Sequence, residues 1–159
     1  MEHEFDRQRG QAQRRMADAL ALDLTVREVM TPGPATVASD ATAVDAARAM
    51  VAENVGSLPV VEGENLVGMV TDRDLVIGVL ARDLDPNKVT VADCCSEDPT
   101  VAHPDEPLDA ALQRMASEQV RRLPVVDEGR LVGIVAQADV ARSAQPESTG
   151  VMVEEISQD

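Results

Sequence analysis

Thr71 and Asp74 stand three residues apart, directly after an apolar run that ends in Gly68-Met69-Val70. A hydroxyl and a carboxylate at that spacing, leaving a strand and opening a helix, have two uses. They can cap the helix, with the hydroxyl on a first-turn amide and the acid near the positive helix end. The same groups can also hold the polar and anionic parts of a ligand, because the amides of a helix start favour anions. Capping contributes about 1 kcal/mol with no ligand present, so spacing alone leaves both readings open. Sixty-five residues on, the chain repeats itself as Gly133-Ile134-Val135-Ala136-Gln137-Ala138-Asp139. Here the carboxylate of Asp139 survives, and Ala136 stands where the first copy has its threonine.

An anionic ligand needs local positive charge, because the formal net charge of the chain is −15. Arg121 and Arg122, just ahead of Leu123-Pro124, are the clustered candidates, and a guanidinium gives fork-like, charge-assisted bonds to phosphate. The matching positions of the first copy are the uncharged Gly56-Ser57. Arg73 is a further candidate. Each of these arginines reads equally as a surface ion-pair partner for the many acids.

Composition removes several function classes. The net charge repels a nucleic-acid backbone and an anionic membrane surface. Acids interleave with Arg7, Arg9, Arg14 and Arg15, so no nucleic-acid patch is expected there. Phe5 is the single aromatic residue, which disfavours stacking on bases. No apolar run has the length of a membrane span. The opening Met1-Glu2-His3-Glu4 lacks a basic-then-apolar pattern, so a cytoplasmic address is expected. Cys94 and Cys95 are neighbours, which is no disulfide framework; they read as reduced, half-buried small hydrophobes. His3 and His103 add no metal-ligand spacing. With no nucleophile–base pair and no metal constellation, the chain does not read as an enzyme.

The positioning elements recur twice in one order. Thr25-Val26-Arg27-Glu28 and Thr90-Val91-Ala92-Asp93 have capping-box spacing. Thr36-Val37 and Thr100-Val101 read as matching short strands, with one residue inserted after the second. Ala43, Ala46, Ala47 and Met50, then Leu108, Ala111, Leu112 and Met115, mark two amphipathic helices, the first stopped by Asn54 and Gly56. Leu58-Pro59-Val60-Val61 with Leu66 to Val70, and Leu123 to Val126 with Leu131 to Val135, read as hairpins. A helix from Thr71 is expected to bury Leu75, Val76, Val79 and Leu80. Another starts near Ala136 and fades by Ser143. Each copy is about 60 residues, small for an independent core, and the continuous Val/Leu runs read as strands buried on both faces. Two copies packed as a pseudo-two-fold pair, with a cleft between them, are expected. The divisions are an N-terminal helical extension, 1–24, with Ala12, Met16, Ala19 and Leu20 on one face; a first repeat, 25–87; a second, 88–143; and an acidic tail, 144–159.

This repeated order, with Leu-Pro-Val-Val hairpins and Gly-x-Val-Thr-x-x-Asp, resembles the CBS domain (cystathionine-β-synthase domain). Two in tandem resemble a Bateman module over residues 25–142. Gly68 to Asp74, with Leu84-Asp85-Pro86-Asn87, is most similar to stand-alone bacterial two-CBS proteins of the hypoxic-response type, which implies a role in stress response. The resemblance implies an α/β (α+β) fold of two βαββα repeats and a regulatory module. The implied ligand is an adenine nucleotide, AMP, ADP or ATP, bound between the repeats, with no catalytic cofactor. It assigns Asp74 to the ribose hydroxyls and Thr71 to the phosphate, with Arg121, Arg122 and Arg73 as phosphate-reaching bases. Thr36, Val37 and Val101 would line the base, and Pro124 would belong to the same ligand site. Asp139, without its threonine, would mark a degraded second site. A homodimer and an unidentified effector protein are the implied partners. The other reading is a ligand-free scaffold that displays its terminal extensions to a partner protein.

Overall fold

The computed structural model describes residues 24–143, together with Gly10. The N-terminal stripe of Ala12, Met16, Ala19 and Leu20 and the tail beyond residue 143 lie outside the described residues. The first repeat runs α1 (Val26–Val29), β1 (Thr31–Pro32), β2 (Val37–Ala38), α2 (Ala43–Glu53), β3 (Ser57–Glu62), β4 (Asn65–Thr71) and α3 (Asp72–Gly78), closed by a 3₁₀ turn at Leu80–Arg82. The second runs α4 (Val91–Cys94), β5 (Ser96–Glu97), α5 (Leu108–Glu118), β6 (Arg122–Asp127), β7 (Arg130–Ala136) and α6 (Gln137–Ser143). This is the expected mixed α/β tandem of βαββα repeats.

Local chemistry explains the elements. Thr42 caps α2, its hydroxyl accepting from the Asp45 amide at 3.2 Å while the Asp45 carboxylate accepts from the Thr42 amide at 3.1 Å. The Thr42 amide that donates to the carboxylate, and after it the Thr42 hydroxyl beside it, hold the Asp45 carboxyl below the usual carboxylate range. Ala43, Ala46 and Met50 face inward at helical spacing. Asn54 ends α2 in the left-handed region (φ 53°), which asparagine tolerates, and the Val55 amide turns back to Met50 O at 3.0 Å. In the second repeat Gln119 takes the same conformation (φ 56°) and Val120 bonds Met115 O at the same 3.0 Å.

The 65-residue offset holds without interruption. The Asp72 amide donates to Gly56 O at 2.9 Å, and the Gln137 amide donates to Arg121 O at 3.0 Å. No residue is inserted after the second Thr-Val: the counterpart of the buried Val37 is Ala102, 1% exposed, whereas Val101 is exposed. Thr100-Val101 repeats the dipeptide one position out of register.

The chain divides into two compact units that differ from the two repeats. One holds residues 32–101 and 124–133; the other holds, of the described chain, 24–31, 102–123 and 134–143. Each unit is the helical body of one repeat plus the leading helix of the other. In the second unit, Val26 N–H donates to Glu106 O (3.1 Å), Arg27 N–H to Pro104 O (2.9 Å) and Leu108 N–H to Leu24 O (2.9 Å). In the first, the same three bonds recur 65 residues apart: Val91 to Ala41 (2.8 Å), Ala92 to Ser39 (2.9 Å) and Ala43 to Val89 (2.9 Å). Val26 and Val91 are both fully buried.

Within the first unit, β2 lies parallel to β3 with Val37 opposite Val60, and β3 pairs antiparallel with β4, Leu58 opposite Val70. β4 also pairs with β5, Gly68 opposite Glu97. The core gathers Val37, Met50, Leu58, Val60, Val70, Leu75, Val79 and Val91. The expected apolar face after Thr71 is only half correct. α3 stops at Gly78 and tightens into the 3₁₀ turn, so Leu75 and Val79 go inward while Val76 and Leu80 stay 53% and 60% exposed.

Gly68 is required by close approach. A Cβ there would stand 2.6 Å from Ser96 O and 3.0 Å from Cys95 Sγ. Gly68→Ala is expected to cost about 1–3 kcal/mol in urea unfolding. Gly78→Ala, whose Cβ would meet only Cys94 Cβ at an ordinary 3.5 Å, is expected to stabilise by about 0.5–1 kcal/mol.

Candidate functional site

β4 delivers Thr71 to the first turn of α3, where two reciprocal bonds form. The Asp74 amide donates to Thr71 Oγ1 at 3.0 Å, and the Thr71 amide donates to Asp74 Oδ2 at 2.9 Å. Capping therefore engages these residues in the unliganded protein. It does not exhaust them. Thr71 Oγ1 accepts in the cap, so its O–H proton remains a donor. Asp74 Oδ1 accepts nothing among the described residues.

The chain uses Thr-x-x-acid at four helix starts, and geometry separates them. At Thr25 and Thr90 the hydroxyl donates to its own acid, Glu28 Oε2 at 3.3 Å and Asp93 Oδ2 at 2.8 Å. That orientation occupies the O–H. At Thr42 and Thr71 the hydroxyl accepts instead. The Thr42–Asp45 pair is exposed; the Thr71–Asp74 pair is partly buried. Thr71–Asp74 is thus the one box of the four that combines an available hydroxyl proton, an available carboxylate oxygen and shelter from water.

The other expected residues divide between the units. Thr36, Val37, Arg73, Val101 and Pro124 share the unit of Thr71 and Asp74; Arg121, Arg122 and Asp139 belong to the other. Arg121 and Arg122 are both exposed at the entry to β6, where Arg121 O accepts the Gln137 amide that opens α6. Arg73 is exposed, and its amide donates to Asp72 Oδ1 at 2.8 Å. Thr36 is exposed and lines a cavity of about 370 Å³ with Val61, Glu64 and Arg130, the last two forming an ion pair at 3.8 Å. The Val37 side chain is 6% exposed and lies in the core, so only its backbone is available to a ligand. Pro124 is buried. Asp139 is half-buried in α6, and Ala136 ahead of it is 9% exposed.

Two further groups adjoin the Thr71–Asp74 turn. Cys94 and Cys95 are free, half-buried thiols. Burial raises both above the ordinary thiol range; Cys95 adds to the effect at Cys94 and Glu97 at Cys95, with the Asp74 carboxylate contributing at both. Among the described residues no three His, Cys, Asp or Glu side chains gather as a metal ion would need, and no helix is long and apolar enough to cross a membrane.

Residues 26–80 and 91–145 both match the model of the CBS domain. The chain belongs to the CBS-domain family. CBS domain-containing protein YhcV of Bacillus subtilis is 40% identical over 134 residues, 84% of this chain and 95% of that protein. Hypoxic response protein 1 of Mycobacterium tuberculosis is 40% identical over 119 residues, 74% of this chain and 83% of the relative. A solved structure of Hypoxic Response Protein I with two coordinated zinc ions superposes at a TM-score of 0.70, with 39% identity, covering 75% of this chain and 98% of that one. CBSX2 of Arabidopsis thaliana in complex with AMP gives 0.66 and 32%, over 76% of this chain and 95% of that one. The CBS pair of MJ0100, with methylthioadenosine and S-adenosyl-L-methionine, gives 0.65 and 30%, over 76% and 94%. Neither of these two relatives carries an enzyme's name, whereas L-aspartate semialdehyde sulfurtransferase of Methanocaldococcus jannaschii, 33% identical over 119 residues, shares only 22% of its own length with this chain.

Without ligand, Thr71→Ala and Thr42→Ala are each expected to cost about 1 kcal/mol in urea unfolding, because the two caps have the same geometry; Thr71→Ser retains its cap. Native thiol labelling at pH 8 is expected to be slower than in urea. Its rate should keep climbing with pH beyond the ordinary thiol pKa of about 8.5, because burial disfavours the reactive thiolate.

Proposed function

We propose that this CBS tandem is a non-catalytic regulatory module that binds an adenine nucleotide at the Thr71–Asp74 turn. The observation that carries the reading is the unused chemistry of a partly buried cap: a hydroxyl proton on Thr71 and Asp74 Oδ1. In this reading the carboxylate accepts from the ribose hydroxyls. The Thr71 hydroxyl donates to the phosphate at the positive end of α3. Arg73, beside the turn in the same unit, supplies positive charge for the phosphate in an acidic chain. In the unit of Thr71 and Asp74, Thr36, the Val37 backbone and Val101 are the candidates to line the base, with Pro124 a further candidate. AMP in CBSX2 and S-adenosyl-L-methionine in the MJ0100 pair support an adenosine compound as the ligand class. A ligand with unequal affinity for two arrangements of the chain would shift their populations, which is how binding would become a signal.

The second turn is proposed as the weaker site. Ala136 supplies no hydroxyl there, and at the first turn Gly56-Ser57 supplies no charge where the other repeat has Arg121-Arg122. Those losses also favour a second reading, a ligand-free scaffold for an effector protein. We further infer that the chain self-associates as a homodimer.

A thermal-shift series with AMP, ADP, ATP and S-adenosylmethionine, on the wild type and Asp74→Ala, separates the two readings. One adenosine compound is expected to raise the wild-type Tm by about 3–8 °C near saturation, with the shift lost in Asp74→Ala and kept in Asp139→Ala. No shift from any compound at millimolar concentration supports the scaffold.

A further inference from the structure

Asp72 stands beside Thr71 at the start of α3, and neither the cap nor the ligand reading uses its carboxylate. Its place is fixed. The Asp72 amide donates to Gly56 O at 2.9 Å, and Asp72 Oδ1 accepts the Arg73 amide at 2.8 Å. A Cβ on Gly56 would stand 3.2 Å from Asp72 Oδ2. The carboxylate therefore lies over Gly56, where the chain enters β3, and Ser57 of β3 is paired with Thr71. Two acids, Asp72 and Asp74, flank one base, Arg73, at this turn.

The second repeat keeps the backbone and reverses the charge. The Gln137 amide donates to Arg121 O at 3.0 Å, the counterpart of the Asp72 bond. At the 65-residue offset Gly56 becomes Arg121, Ser57 becomes Arg122, Asp72 becomes Gln137 and Arg73 becomes Ala138. Two arginines and one acid stand where the first repeat has one arginine and two acids. The backbone thus accepts either sign at these positions, and it does not by itself require an acid at Asp72.

We propose that Asp72 sets the ligand class of the Thr71–Asp74 turn: the turn takes an adenosine monophosphate and discriminates against the di- and triphosphate. The inference rests on the reading of that turn given above and narrows its ligand. One phosphate is matched by the Thr71 hydroxyl and Arg73. Each further phosphate brings more negative charge to a turn that already holds Asp72, and residues 56–57 and 71–74 contain no second base to offset it. Like charge placed against the wrong ligand is a general source of specificity. Asp72 is exposed, so its effect is one that salt screens.

Isothermal titration calorimetry of the full chain with AMP, ADP and ATP, free of divalent cations, tests this. Binding that is lost in Asp74→Ala is assigned to the turn. AMP is expected to bind tightest and ATP at least about 10-fold more weakly. Asp72→Asn is expected to narrow that ratio at least about threefold, because ATP gains more than AMP. An acid in a first helical turn also stabilises the helix, but loss of that role alone changes both affinities alike and leaves their ratio in place. Ser57→Arg, which copies Arg122, is expected to narrow the ratio in the same way and serves if Asp72→Asn fails to fold. In the wild type the ratio is expected to narrow at an ionic strength of about 1 M, where the screening length is about 3 Å. Absence of binding by all three compounds overturns the reading of the turn itself. ATP binding as tightly as AMP overturns the monophosphate class and leaves that reading standing. A ratio unmoved by Asp72→Asn, or by salt, overturns Asp72 as its source.

Discussion

The fold depends on an exchange of leading helices. α1 and α4 are four residues each, far too short to persist by their own hydrogen bonds. Each is held by burying one valine completely, Val26 or Val91, and by setting its first amides on carbonyls of the other repeat. A repeat of about 60 residues closes little core by itself. Borrowing a helix from its neighbour enlarges each core, and the three bonds at 2.9–3.1 Å that fix Val26 in one unit are reproduced at 2.8–2.9 Å around Val91 in the other. The repeat read along the chain is therefore a unit of pattern, while the compact unit is assembled from both repeats.

That assembly sets the conditions at Thr71 and Asp74. α4 packs against α3 closely enough that a Cβ on Gly78 would meet Cys94 Cβ at 3.5 Å, and the Asp74 charge is felt at both thiols. The turn is sheltered from one side by a helix that belongs to the second repeat in sequence. Four helix starts share one local pattern, yet burial and the direction of one hydroxyl distinguish them. α3 is also short, seven residues. Its first turn presents the candidate ligand groups, and its far turn presents Val76 and Ile77 to solvent. A displacement of α3 would be felt at both ends.

Much of this was legible in the amino-acid sequence because it is decided locally. Threonine–acid boxes open α1, α2, α3 and α4; Asn54 ends α2 in a conformation few other residues accept; the hairpin strands of valine and leucine flank turns that contain Gly63 and Gly129, both at positive φ. The order of elements, their duplication and the CBS family all follow from signals that span a few residues each. The sequence also singled out Asp74, and it carries Ala136 where the first copy has Thr71.

Tertiary structure decided what depends on partners distant in the chain. Thr100-Val101 imitates Thr36-Val37, but a buried strand position is fixed by what packs on it, and that selects Ala102. Helical periodicity from Thr71 places Val76 and Leu80 inward; the turn after Gly78 re-aims the chain and leaves them in water. Whether Thr71 serves only as a cap depends on which way its hydroxyl proton points and on how much protein covers the turn. No spacing rule contains either quantity, because the covering helix arrives from the other repeat.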